Sequence, residues 1–206
     1  MTATTKSADA PRRAALLRAA AASFAEQGYH AATVADIARR AQVATGTFYL
    51  YFPSKEGCFE ELVGRFYELV LHDVREARRG AGSVLGKLDR SVAAVLGCFY
   101  RERDLAVIVL QRAPGASSAL AGQLATIEAQ LLDLLAQDLA EAMAEGLCAQ
   151  GEPSLEARLI LGAMRQALVF GLEGDAAEEA RRITEVRAFL RRAVGGAVEP
   201  DGSASS

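Results

Sequence analysis

The chain has 206 residues, about half of them apolar, with two His, three Cys, no Trp and a formal charge of −3. That length accommodates one large or two small domains, and that apolar content supports a substantial core. The Cys, at 58, 98 and 148, form no C-x-x-C pair and read as buried reduced thiols, so no metal or other cofactor is expected.

The net charge hides an asymmetry. Residues 1–57 carry seven Lys/Arg against four Asp/Glu, a charge of +3, while residues 58–206 carry sixteen against twenty-two, a charge of −6. A basic N-terminal segment on an acidic body points to a polyanionic partner for that segment alone. No apolar run is long enough to cross a membrane, and "MTATTKSADAPRR" has no apolar signal segment, so a cytoplasmic protein without membrane contact is expected. Ala and Leu dominate and β-branched residues are sparse, which favours an all-α fold.

Residues 1–10 are small and polar and read as a disordered arm. From Pro11 the pattern is helical: Leu17, Ala20, Ala21 and Phe24 keep the i, i+3, i+4, i+7 spacing of one buried face. Gly28 is the expected stop, with apolar Tyr29 beyond it. Thr33 opens a second helix and pairs with Asp36 as an approximate capping box. "AQV" (41–43) is a short turn, and residues 44–50 make a brief third helix that ends before Pro53. Ser54 caps a long fourth helix with an apolar stripe from Phe59 to Val74. Further helices are expected over about 83–101, 103–112, 117–149, 152–172 and 175–195, and residues 196–206 read as a disordered tail.

The stretch "TGTFYLYFPSKEG" (45–57) concentrates four of the thirteen Phe and Tyr in five positions. On a helix at about 100° per residue, Phe48 points to a small core with Val34, Ile37 and Phe24. The opposite face is centred on Gly46 and Leu50 and flanked by Thr45, Thr47, Tyr49 and Tyr51. A Gly inside a helix is unfavourable by roughly 0.5–1 kcal/mol relative to Ala, and close approach to another surface is one compensation. Two helices, a tight turn and a polar outward second helix describe a helix-turn-helix, whose second helix enters the DNA major groove. Thr side chains suit base edges, while Tyr hydroxyls and Lys55, beside the Ser54 cap, suit phosphates. Arg12 and Arg13 sit at a helix start, where cations are unfavourable and phosphate contact would explain them.

From about Arg13 to Leu62 the sequence resembles the DNA-binding domain of the TetR family of bacterial transcriptional regulators. The likeness rests on a helix ending in Phe and Gly, a Thr-capped helix with Ile-Ala, and V-x-x-G-T-F-Y-x-Y-F-x-x-K-E in order. The resemblance implies DNA-contact roles for Thr33, Ala44, Thr45, Gly46, Thr47, Tyr49, Tyr51 and Lys55. Many members carry a polar residue where this chain has Ala44. It also implies a division into a helix-turn-helix domain over 11–57, joined by the long fourth helix to a ligand-binding and dimerisation domain over 58–195.

In that second domain, "ARLILGAMRQALVFGLEG" (157–174) sets Gly162, Ala163, Ala167 and Gly171 among large apolar residues, which permits close helix packing. The last two helices are expected to pair with a second copy in a homodimer. Leu88, Val92, Leu96, Phe99, Val107 and Leu110 are candidate pocket residues, and Arg165 could anchor an anionic group, pair with a Glu at the dimer seam or face solvent. The stretch 101–146 is similar to members that sense acyl-CoA thioesters and control fatty-acid degradation. The expected function is a repressor released from a palindromic double-stranded DNA operator by a hydrophobic small molecule, with a fatty acyl-CoA as the first guess.

Two rival readings stand beside it. An enzyme would need a catalytic constellation, but "GAGSVLG" (80–86) has its third Gly displaced and no strand before it, and no H-E-x-x-H, G-x-S-x-G or P-loop occurs. A ligand-independent architectural or protein-interaction helical module would show no DNA sequence preference.

Overall fold

Local capping chemistry explains where the N-terminal helices begin and end. The computed structural model describes residues 4–110, 118–171 and 176–195. In chain order these form α1 (Thr4–Gln27), α2 (Val34–Arg40), α3 (Thr45–Tyr49), α4 (Lys55–Arg78) and α5 (Val84–Arg101), followed by α6 (Arg103–Leu110), α7 (Ser118–Ala144), α8 (Pro153–Gly171) and α9 (Ala176–Gly195). Among the described residues there is no strand, and the fold is all-α. Among the described residues no helix is long and apolar enough to cross a membrane.

Gly28 ends α1 at a φ of 79°, a left-handed conformation that Gly adopts without a Cβ clash. Thr33 caps α2: its hydroxyl accepts from the Asp36 amide at 3.1 Å and donates to Asp36 Oδ2 at 2.6 Å. The hydroxyl's bond to the carboxylate, with Arg39 nearby, holds the Asp36 carboxyl below its ordinary range. The α2–α3 turn closes as a Schellman motif, with the Val43 amide bonding the Ala38 carbonyl at 3.0 Å and the Gln42 amide bonding Arg39 at 3.1 Å. Gln42 takes the left-handed position, φ 58°, that Gly usually fills. Ser54 Oγ accepts from the Gly57 amide at 3.1 Å and caps α4.

Two boundaries differ from expectation. The helix α1 begins at Thr4 rather than Pro11, so Pro11 lies inside it. The helix α7 ends at Ala144 rather than near 149, because Gly146 turns left-handed at φ 70° and the Leu147 amide reaches back to the Ala142 carbonyl at 2.8 Å. The expected tail, 196–206, lies outside the described residues.

The chain forms two compact units. The first comprises Met1–Tyr67 and Glu102–Leu124. Its core joins Leu16, Ala20 and Phe24 of α1 to Ile37, Phe48, Phe52 and Phe59, with Ile108 of α6 against them. The Phe24 and Phe59 rings meet edge-on at 5.8 Å, a favourable quadrupole arrangement. The second unit comprises Glu68–Arg101 and Ala125–Ser206, with α5 packed on α8 and α9. A buried ion pair crosses it. Arg78 Nη2 donates to Asp138 Oδ1 at 2.7 Å, and Arg78 Nη1 donates to Asp138 Oδ2 and, at 3.2 Å, to Ser91 Oγ. This bidentate fork gives both oxygens of the buried carboxylate a hydrogen-bond donor. Gly171 is buried in this unit, where an added Cβ would run into the Tyr100 hydroxyl. Its small size therefore serves packing inside one chain.

Candidate nucleic-acid interface

The outward face of α3 follows from burying Phe48. That ring is fully buried and packs 5.3 Å from the Phe52 ring, so the opposite side of this short helix faces solvent. Ala44, Thr45 and Gly46 are exposed, as are Tyr49, at 56 %, and Leu50, at 81 %. Thr47 and Tyr51 are half-buried, and Tyr51 leans on the unit's core. The expected face thus divides into an exposed ridge and two flanking side chains. A Cβ added at Gly46 would meet no atom within 4 Å. Among the described residues nothing requires a Gly there.

Leu50 belongs to this face although the sequence reading named it only as part of the face's centre, without a contact role. Its signal was the helical wheel itself. An exposed Leu on a groove-reading face can make apolar contact with a thymine methyl.

Lys55, expected at a phosphate, is held by backbone carbonyls in the DNA-free chain. Its ammonium donates to the carbonyls of Tyr29 at 2.9 Å, Ala32 at 3.0 Å and His30 at 3.4 Å, and lies 4.5 Å from the centroid of the Tyr29 ring. An ammonium has three N–H donors, and three carbonyls take them. The Tyr29 hydroxyl donates in turn to Glu56 Oε1 at 3.0 Å; burial, then this bond, push the phenol up to about 12. Lys55 therefore ties the start of α4 to the α1–α2 connection. Spacing in sequence could not reveal this, because the carbonyls lie 23 to 26 residues away.

The arginines are also engaged. Arg13 is half-buried, paired bidentately with Glu61 and stacked 4.9 Å over Phe52. Arg40 pairs with Glu26 and Arg39 with Asp36. Thr33 is exposed, with its hydroxyl occupied by the α2 cap.

The pocket candidates separate as well. A half-open cavity of about 250 Å³ in the second unit is lined by Leu88 and Val92 of α5 together with residues of α7, α8 and α9. A smaller one, about 40 Å³, touches Val92, Val95 and Leu135. Leu96 and Phe99 are core, Arg165 is half-buried on α8, and Val107 and Leu110 belong to α6 in the first unit. The sequence reading missed Asp89, Arg187 and Arg191, which carry all the charge on the larger cavity's wall.

Comparison with known proteins accords with this geometry. Residues 16–62 match the family described as bacterial regulatory proteins, tetR family. Over 170 residues the chain is 26 % identical to the fatty acid metabolism regulator protein of Bacillus subtilis (strain 168), covering 80 % of this chain and 86 % of that one. Over 77 residues it is 39 % identical to the HTH-type transcriptional repressor KstR2 of Mycobacterium tuberculosis (strain ATCC 25618 / H37Rv), covering 37 % and 38 %. The solved structure of the fatty acid degradation regulator FadR from Bacillus halodurans superposes with a TM-score of 0.76 at 25 % identity, covering 87 % of this chain and 94 % of that one. The matched residues span α1 to the first turns of α4, where the exposed α3 ridge stands on its buried aromatic base. The protein is a DNA-binding transcriptional regulator rather than an enzyme, and its residues 16–62 are a DNA-binding region of the bacterial regulatory proteins, tetR family.

Proposed function

We propose that the protein is a homodimeric repressor that leaves a palindromic operator when a hydrophobic small molecule binds its helical C-terminal domain, residues 58–195. Residues 11–57 form the DNA-binding domain, and Thr45, Gly46, Thr47 and Tyr49 are its groove-facing surface, flanked by Ala44 and Tyr51. The observation that carries this reading is the open space over Gly46, an unfavourable helix residue with no neighbour among the described residues to justify it. Lys55 acts as a positioning residue, since its donors already have carbonyl partners.

Dimerisation is supported by α8. Leu155, Leu159, Gly162 and Phe170 follow i, i+4, i+7 and i+15 along one face and are all exposed, Phe170 at 75 %. Large apolar side chains in such a row mark a protein contact. A two-fold dimer would set two α3 helices into successive major grooves on one side of the duplex.

A fatty acyl-CoA is the first ligand to test, because two similar regulators are named for fatty-acid metabolism and degradation. The helix α4 would carry its effect, since one continuous helix runs from the first unit into the second. The ligand must prefer one of two dimer states; a coupling of about 1–3 kcal/mol changes operator affinity some 5–150-fold. The test isolates operator fragments with the purified protein, then titrates binding with long-chain acyl-CoAs, free fatty acids and unrelated aromatic compounds. Release by acyl-CoA alone supports the reading. Tight operator binding that no ligand in a broad screen alters would make the protein a ligand-independent repressor.

A further inference from the structure

The larger cavity of the second unit has an unusual charge balance. Its walls are apolar, from Leu88, Val92, Leu135, Ile160 and Leu190, except along one edge, where Asp89 of α5 faces Arg187 and Arg191, one turn apart on α9. Asp89 Oδ1 accepts from Arg187 Nε at 3.0 Å and from Arg191 Nε at 2.9 Å, and Asp89 Oδ2 accepts from the Arg187 terminal amino group. Two guanidiniums bring ten N–H donors to a carboxylate with two oxygens and about four acceptor sites. The wall therefore carries two cations against one anion and has surplus donor capacity. A simple lock between α9 and α5 needs one bidentate arginine, which Arg187 already supplies. Arg191 leaves most of its side chain, 61 %, in solvent and is not needed for that lock.

We propose that this cavity binds an amphipathic anion: an unbranched apolar tail lies against Leu88, Val92, Leu135 and Ile160, and a carboxylate or phosphate head sits on Arg187 and Arg191. The proposal rests on the ligand-responsive reading above and names the ligand class and its site. The cavity volume, about 250 Å³, lies just below the ~300–1,000 Å³ usual for ligand pockets, which fits one chain better than a fused ring system. Arginine forks match carboxylate and phosphate oxygens bidentately, so the head can come from a free fatty acid or from the phosphates of a coenzyme A thioester. Asp89 occupies the same donors when the site is empty, so an incoming anion competes with it.

The test is calorimetric titration of the full chain with lauric acid, lauroyl-CoA and lauryl alcohol, each below its aggregation threshold, alongside operator release. The proposal expects the acid or the thioester to bind at least about tenfold more tightly than the neutral alcohol. Arg187→Gln and Arg191→Gln should each weaken the anion about tenfold and leave the alcohol unchanged. Val92→Phe should weaken all three by filling the cavity. Asp89→Asn should strengthen anion binding several-fold, whereas a purely structural role for the cluster predicts no gain. Equal binding of acid and alcohol, or anion binding unchanged in both Gln variants, overturns the site. Failure of all three ligands to bind, with Arg191→Gln turning the dimer monomeric in sedimentation, would make the groove a seam between copies and overturn it equally. The two readings separate cleanly. Operator release that persists at full potency in the Gln variants refutes this site and leaves sensing intact; anion binding that follows the pattern above without altering operator affinity refutes sensing and leaves the site.

Discussion

Replacing Gly46 with Ala should move folding stability and DNA affinity in opposite directions. The backbone at Gly46 is ordinary helix, and an added Cβ would have no atom within 4 Å, so the folded chain accepts the methyl without strain. Ala is favoured over Gly by about 0.5–1 kcal/mol inside a helix, and the lower end applies at the second position of the five-residue α3. For a chain of this size, about 0.5 kcal/mol raises Tm by roughly 1–2 °C. In the groove, the same methyl enters a packed contact, where an extra carbon is unfavourable by about 1–3 kcal/mol. A dimer meets this twice, for a total of about 2–6 kcal/mol, or at least about thirtyfold in operator affinity. Thermal unfolding by circular dichroism and fluorescence-anisotropy titration of labelled operator measure the two quantities on one preparation. An Ala variant that is more stable and binds operator within twofold of the parent would refute the argument that Gly46 serves close approach to DNA.

Lys55→Ala should lower stability by about 1–3 kcal/mol in urea unfolding, because three carbonyls lose their donor, and should change the slope of log affinity against log salt by less than the ~0.9 that each lost phosphate contact removes. A slope smaller by that amount or more would return Lys55 to phosphate binding. Gln42→Gly should raise Tm, by the equivalent of about 1 kcal/mol at most, since a left-handed φ of 58° strains any residue with a Cβ, and operator affinity should not change. The Asp89 carboxyl is held down to about 2, chiefly by its hydrogen bond from Arg187 and secondarily by Arg191, against an opposing effect of burial. A depressed carboxylate stabilises the fold above its unfolded value near 4 and loses that contribution as pH falls toward 2. Between pH 5 and pH 3, Asp89→Asn should therefore lose less of its urea midpoint than the parent does; parallel losses would show that the pairing contributes nothing to acid stability.

The sequence by itself determined the elements whose causes are local. The Thr33 cap, the Gly28 stop and the Ser54 start each depend on residues within about one helical turn, and the face of α3 follows from a fixed 100° step once Phe48 is taken as core. The family motif added the DNA partner because its residues lie in one continuous stretch. Tertiary structure decided what depends on residues far apart in the chain. Lys55 reads as a phosphate ligand by type and position, yet it finds three carbonyls on a connection 23 to 26 residues away. Arg13 reads as a candidate phosphate contact, yet its guanidinium meets Glu61 and Phe52. On α8, Gly162 and Gly171 look alike in sequence, but one faces open solvent and the other is closed in by Tyr100. Asp89 meets Arg187 and Arg191 across 98 and 102 residues, an encounter that no periodicity encodes. Charged side chains are long, and a helical wheel gives only the direction in which they leave the backbone. Which partner they reach is set by the packing of neighbouring helices, and that packing exists only in the folded chain.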